Sequence, residues 1–198
     1  KLAFYEQLTG LPNRRLLIEK LQTALASASK TKHFGALFYI DLDNFKTVND
    51  TLGHDIGDTL LRQAASRIVE CIGSDNFAAS FGADDFAVIA YDLGDDPQTA
   101  SNSATALGQA LLASLRRIFE IGEYRCRATA SIGIAVFGHP TDTSDELLKH
   151  VDLAMYKAKE SGRDTLRLFD GQMQQSVNQR AQLEDDLRRA LEQNQFEL

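Results

Sequence analysis

LFYIDLDNFKTVNDTLGHDIGD, residues 37–58, is the stretch whose reading decides the fold. It opens on Leu37-Phe38-Tyr39-Ile40, an apolar β-rich run whose length suits a buried strand. Asp41 and Asp43 follow where that strand should end, and Lys46, Asn49, Asp50, Gly53, His54, Gly57 and Asp58 come in close order. An acidic pair at a strand end is a weak signal. The density of spaced polar residues after it is a stronger one.

The spacing has a chemical reading. Hard cations such as magnesium take oxygen ligands, usually one or two carboxylates with phosphate oxygens and water, and a strand end offers carboxylates on a rigid base. Of the two aspartates, Asp41 is the preferred ligand. Lys46 can set an ammonium on a phosphate. Asn49 and Asp58 can read a base, because guanine's N1–H and N2–H₂ edge donates to acceptors. The competing reading is a strand ending in solvated aspartates followed by polar helix faces, and spacing alone does not separate the two.

Upstream, Gly10 and Pro12 form a turn and Asn13 can cap a helix through Leu16, Leu17, Ile18, Leu21 and Leu25. Arg14 and Arg15 fall in its first turn, near the phosphate surroundings or simply exposed. The second reading is preferred, since first-turn cations oppose the helix dipole but are tolerable when solvated. A loop over Ser29 to Gly35 leads into the strand. Downstream, a short helix over Asn44 to Leu52 breaks at Gly53, and a longer one runs from about Ile56 to Ile72 with Asp58 in its first turn. His54 has no partner at catalytic spacing and reads as a turn residue.

Phe77 to Tyr91 reads as two strands joined at Phe81-Gly82-Ala83-Asp84. A helix over 97–118 follows, with Asp96 as cap and Pro97 in first position. A second hairpin turns at Ile121 to Tyr124, before a strand from about Arg127 to Phe137. The last elements are a helix from Ser144 to Ser161 capped by Ser144, an edge strand from Thr165 to Phe169, and an amphipathic helix from Gln174 to Leu198. Order and patterning predict an α+β fold. A central, mostly antiparallel sheet of about five strands would be flanked by helices, and a resemblance to nucleotidyl cyclases implies a ferredoxin-like or palm-like arrangement.

DLDNFKTVNDTLGHDIGD resembles the nucleotide-binding signature of GGDEF domains, the diguanylate cyclase family, which condenses two GTP into cyclic di-GMP. LTGLPNRR at 8–15, FGADDF at 81–86, SIGIAVF at 131–137 and VDLAMYKAKESGRD at 151–164 are similar to further family motifs, in family order. The resemblance implies metal binding (magnesium or manganese) at Asp41, Leu42 and Asp84, and catalytic roles for Asp84 and Asp85. It implies nucleotide binding at Lys46, Asn49, Asp58, Gly82, Ala83, Lys159 and Arg163. For Lys159 and Arg163 the alternative is cations complementing a helix C-terminus.

The departures lie at the signature turn. The family motif is GGDEF or GGEEF; here it is GADDF, with Ala83 for the second glycine and Asp85 for the following acid. Ser80 stands where active members often carry arginine. An added methyl beside the phosphates costs little for a hairpin but can displace reacting atoms, and about 1 Å of misplacement costs on the order of a hundredfold in rate. The product-inhibition motif RxxD falls on Gly73 and Asn76, which predicts no tight cyclic di-GMP binding there.

Three functions follow from the resemblance: a magnesium-dependent GTP-binding regulatory module with impaired catalysis, which is preferred; an active cyclase; and a nucleotide-free scaffold or dimerisation module. Expected partners are GTP, a second copy of the domain, and an EAL phosphodiesterase domain in the same chain. The expected units are residues 1–170 as the GGDEF-like domain and 171–198 as a connector helix.

Composition narrows the rest. The 198 residues, 43% hydrophobic, suffice for one sizeable core. A net charge of −7 and a pI near 5.1 oppose nucleic-acid or anionic-membrane binding by this piece. Cys71 and Cys126 stand apart without metal spacing, which suits a reduced cytoplasmic setting. Lys1 is not an initiator methionine and the chain stops inside an amphipathic pattern. The chain is therefore expected to be a fragment, with any membrane anchor outside it.

Overall fold

The computed structural model describes residues 4–82 and 84–173. Ala83 and the expected connector helix Gln174–Leu198 lie outside the described residues. Five helices and seven strands follow in the order α1 (Arg14–Thr31), β1 (Phe34–Leu42), α2 (Phe45–Leu52), α3 (His54–Ile72), β2 (Phe77–Ser80), β3 (Asp85–Gly94), α4 (Pro97–Leu115), β4 (Phe119–Ile121), β5 (Tyr124–Cys126), β6 (Ala130–Phe137), α5 (Ser144–Glu160) and β7 (Thr165–Leu168) among the described residues.

The main sheet has the order β2-β3-β1-β6-β7, antiparallel except for the β6–β7 pair, and β4–β5 form a separate hairpin. It is the α+β, mostly antiparallel five-stranded sheet that the sequence predicts. β1 is central and covered on both sides. Its even residues Ala36, Phe38, Ile40 and Leu42 pack with Leu60, Ala64 and Ile68 of α3 and Leu111 of α4. On the other face, Leu37 packs with Leu17 and Leu21 of α1 and with Leu147 and Val151 of α5. Side chains alternate across a strand, so Asp41 comes out on the α1–α5 side.

Several boundaries differ from expectation for local reasons. Helix α1 overruns the expected loop at Ser29, ending where Lys32 takes a left-handed conformation (φ 58°) and its N–H returns to the Ala28 carbonyl. Helix α3 begins at His54, directly after Gly53. Helix α4 stops at Leu115 rather than Ile118. There the Arg67 guanidinium donates to the carbonyls of Ser114, Arg117 and Ile118, at 3.3, 2.5 and 2.7 Å. Thr143, not Ser144, caps α5, with its Oγ1 accepting from Glu146 N–H and donating to Glu146 Oε2.

Two glycines set distances that the site depends on. A Cβ at Gly133 of β6 would lie 2.1 Å from the Val151 carbonyl oxygen, so α5 rests directly on the sheet there. At Gly57 a Cβ would lie 1.9 Å from Asn49 Oδ1, so α3 lies hard against the Asn49 side chain. Among the described residues no helix is long and apolar enough to cross a membrane.

Candidate functional site

Most of the predicted residues fall into two regions, one of them at the carboxyl end of β1. In the first, β-sheet register sets Asp41 opposite Asp85 of β3, while the Leu42 N–H donates to the Asp84 carbonyl at 3.2 Å. The β2–β3 turn is therefore tied to the end of β1. Lys159, near the end of α5, sets its Nζ 2.5 Å from Asp41 Oδ2. Tyr39 donates its hydroxyl to Asp85 Oδ2 at 3.1 Å, and Asp85 Oδ1 is buried without a hydrogen-bond partner.

Crowding shows in the acidities. Burial, then the Asp41 charge, pushes the Asp85 carboxyl up to about 6 and the Asp84 carboxyl above the usual range. The Tyr39 hydroxyl is raised by burial and then by the Asp85 charge. Such a group of acids favours a cation. Lys159 already serves Asp41 in that way.

Asp43 has a different fate from Asp41. It is 5% exposed and accepts from Ser131 Oγ and Thr129 Oγ1, both at 2.7 Å, and from Asp164 N–H at 3.0 Å. Its oxygens are occupied by the fold. Among the described residues no group of three or more His, Cys, Asp or Glu is arranged to hold a metal alone. A hard cation here would therefore rest on Asp41 and Asp84, the oxygens near Leu42 and a ligand's own oxygens. That donor set fits magnesium, which usually takes one or two carboxylates plus substrate phosphates.

The second region is a groove of about 650 Å³ between α1, α2, α3 and the β2–β3 turn, lined by Asn49, Asp58, Phe45, Leu61, Arg14 and Gly82, among others. Asn49 Oδ1 is buried there without a hydrogen-bond partner. Gly82 is exposed at the turn, while the buried Ser80 donates its Oγ to the Gly82 carbonyl at 3.2 Å. Lys46 and Arg163 are exposed, and among the described residues neither side chain makes a hydrogen bond or ion pair. The structure thus brings Asp41, Leu42, Asp84, Asp85 and Lys159 together, sets Asn49, Asp58 and Gly82 around one groove, and leaves Lys46 and Arg163 exposed, neither lining that groove.

Sequence reasoning missed two residues. Arg14, expected to be merely exposed, stacks its guanidinium 5.0 Å from the Phe81 ring centroid and lines the groove. Arg15 keeps the expected solvent role, pairing with Glu19 at 3.6 Å. Tyr39, taken for a core residue, bonds Asp85. No local signal could reveal either, because the partners lie far away in sequence. His54 is exposed at the start of α3 and lines the groove mouth.

A family model described as diguanylate cyclase, GGDEF domain, matches residues 3–165. The bifunctional diguanylate cyclase/cyclic di-GMP phosphodiesterase MucR of Pseudomonas aeruginosa is 35% identical over 198 residues, covering 100% of this chain and 28% of MucR. The cyclic di-GMP phosphodiesterase PdeR of Escherichia coli K12 is 37% identical over 195 residues, covering 98% of this chain and 28% of PdeR. The chain thus spans under a third of the length of these curated relatives. Among solved structures, the GGDEF domain of TpbB (YfiN) from Pseudomonas aeruginosa superposes with a TM-score of 0.82 at 31% identity, covering 88% of this chain and 99% of that one. The GGDEF domain of DgcB from Caulobacter crescentus, in complex with c-di-GMP, gives 0.74 at 29% identity, covering 84% and 93%. With a match to the family model over residues 3–165 and curated relatives of 35% and 37% identity across nearly the whole chain, this chain belongs to the GGDEF family of diguanylate cyclase domains.

Proposed function

We propose that the domain binds GTP with magnesium or manganese, turns it over poorly, and serves as a regulatory module in cyclic di-GMP signalling. The observation that carries the guanine assignment is that Asn49, whose Oδ1 is buried without a partner, and Asp58 line the same groove. Both are acceptors. Guanine's N1–H and N2–H₂ satisfy them, whereas adenine offers an acceptor at N1 and leaves a buried group unpaired.

On this reading Lys46, Lys159 and Arg163 bind the phosphates, and Asp41, Leu42 and Asp84 hold the metal. A bound metal would neutralise the triphosphate and polarise its reacting phosphorus centre. The chain's own residues orient the base, order the phosphates and hold Asp85 beside Asp41. Impairment rests on the GADDF turn, where Ala83 and the shortened acid Asp85 replace glycine and glutamate, and on Ser80, whose hydroxyl turns inward to the Gly82 carbonyl. Residues 1–170 form the nucleotide unit, and 171–198 connect to an EAL phosphodiesterase domain, a reading supported by the phosphodiesterase activities of the relatives MucR and PdeR.

An active cyclase is the second reading, favoured by the retention of Asp41, Asp84, Lys46, Lys159 and Arg163. Cyclic di-GMP formation is measured for the unmodified domain and for Ala83→Gly with Asp85→Glu, at concentrations that permit dimers. Product only after restoration supports impairment, while robust product from the unmodified domain promotes the cyclase. GTP titration with and without magnesium separates both from a nucleotide-free scaffold.

Product feedback at the RxxD position is not expected. Asn76 spends its Nδ2 on the Ile72 carbonyl at 2.8 Å and its Oδ1 on Tyr91 N–H at 3.1 Å, and Gly73 has no side chain to offer.

A further inference from the structure

We infer that Asp43 is the positioning residue for the loop that carries Arg163, an inference resting on the proposed phosphate role of Arg163. After α5 the chain runs through Gly162, Arg163 and Asp164 with φ of 108°, 64° and 48°. L side chains rarely take such angles, and two successive non-glycine residues here need an external hold. Three contacts supply it. Asp164 N–H donates to Asp43 Oδ2 at 3.0 Å, and Arg116 clamps Asp164 from outside, with Nε on Oδ1 at 2.7 Å and an Nη on the carbonyl at 2.8 Å.

The Arg116 pair is about half exposed, whereas Asp43 is 5% exposed and its carboxylate is held from two further directions by Ser131 and Thr129. A buried charge-assisted bond is the stiffer restraint, because solvent screens it less. Its placement is also consequential. Asp43 follows Asp41 by two residues at the same strand end, and Asp41 accepts from Lys159 at 2.5 Å. One strand end therefore registers both α5-derived cations: Lys159 directly, and Arg163 through the backbone of Asp164. A buried aspartate that only stabilised the fold would have no reason to act through Arg163.

The test uses the full chain with Asp43→Asn, Arg163→Ala and the double variant. Three quantities are read: GTP affinity with magnesium, guanosine affinity, and the rate of tryptic cleavage after Arg163 followed by mass spectrometry. Asp43→Asn should weaken GTP about tenfold, leave guanosine within about twofold, and speed cleavage after Arg163 about tenfold. In the Arg163→Ala background it should change GTP affinity by less than about twofold. Penalties that multiply, an equal loss for guanosine, or unchanged cleavage would each overturn the inference. If the unmodified chain prefers GTP no more than guanosine, the phosphate reading fails, while cleavage still decides whether Asp43 holds the loop. Should Asp43→Asn not fold, Thr129→Val keeps the carboxylate while removing one of its holders, and should show the same pattern at about threefold.

Discussion

The groove between α2 and α3 and the acidic edge at the end of β1 adjoin each other but are built on opposite principles. The groove holds a neutral acceptor, Asn49 Oδ1, buried without a partner and pressed close by Gly57. The acidic edge stores repulsion: Asp41, Asp84 and Asp85 crowd together, and two of the three carboxyls are pushed upward. A neutral acceptor left unpaired costs the fold modestly. Crowded carboxylates instead create a standing demand for cations. On the proposed reading, recognition and turnover can therefore be lost separately.

The largest effect should come from removing the edge's charge. Asp41→Asn is expected to lower magnesium-dependent GTP affinity about a hundredfold, near 2.7 kcal/mol, with guanosine affinity within about twofold. Isothermal titration with both ligands checks it, and a matching loss for guanosine would break the division between the regions. Next, Gly57→Ala presses a methyl into Asn49, and a shift of the packed α2–α3 pair should cost about 2 kcal/mol of stability in denaturant unfolding. Its guanine preference should fall with its stability. Asn49→Ala should reduce the preference for GTP over ATP about tenfold without moving the magnesium half-saturation point. A changed metal dependence would show that the groove reports on the edge.

The smallest effect concerns Asp85. Its folded pKa, raised to about 6 from 3.8, means that the unfolded chain ionises it more readily. The group therefore destabilises the fold above pH 6, and the penalty is relieved as pH falls from about 6 towards 3.8. In metal-free buffer Asp85→Asn should be more stable than the parent by about 1 kcal/mol at pH 7, a figure reduced for solvent screening, and should lose that advantage near pH 4. Thermal unfolding across this range reads the difference.

Sequence by itself determined the elements and the family, because those signals are local. Asn13, Asp96 and Pro97 mark helix starts through hydrogen bonds and φ preferences that reach only a few residues, and apolar period distinguishes β1 from α3. The DLDNFK stretch also preferred Asp41 to Asp43 as a metal ligand, and the structure pairs Asp41 with Lys159 while the fold occupies the oxygens of Asp43. Boundaries beside distant partners were not legible: where α4 ends at Leu115, Arg67, some fifty residues away, binds the carbonyls of Ser114, Arg117 and Ile118. The site divides in the same way. Which acids repel, which cation sits on Asp41, that Arg14 reaches Phe81, and that Asp43 holds the loop at Asp164 were decided only by tertiary structure. The physical reason is that charge and hydrogen-bond pairing depend on distance through space, whereas a linear pattern encodes only which groups are available to pair.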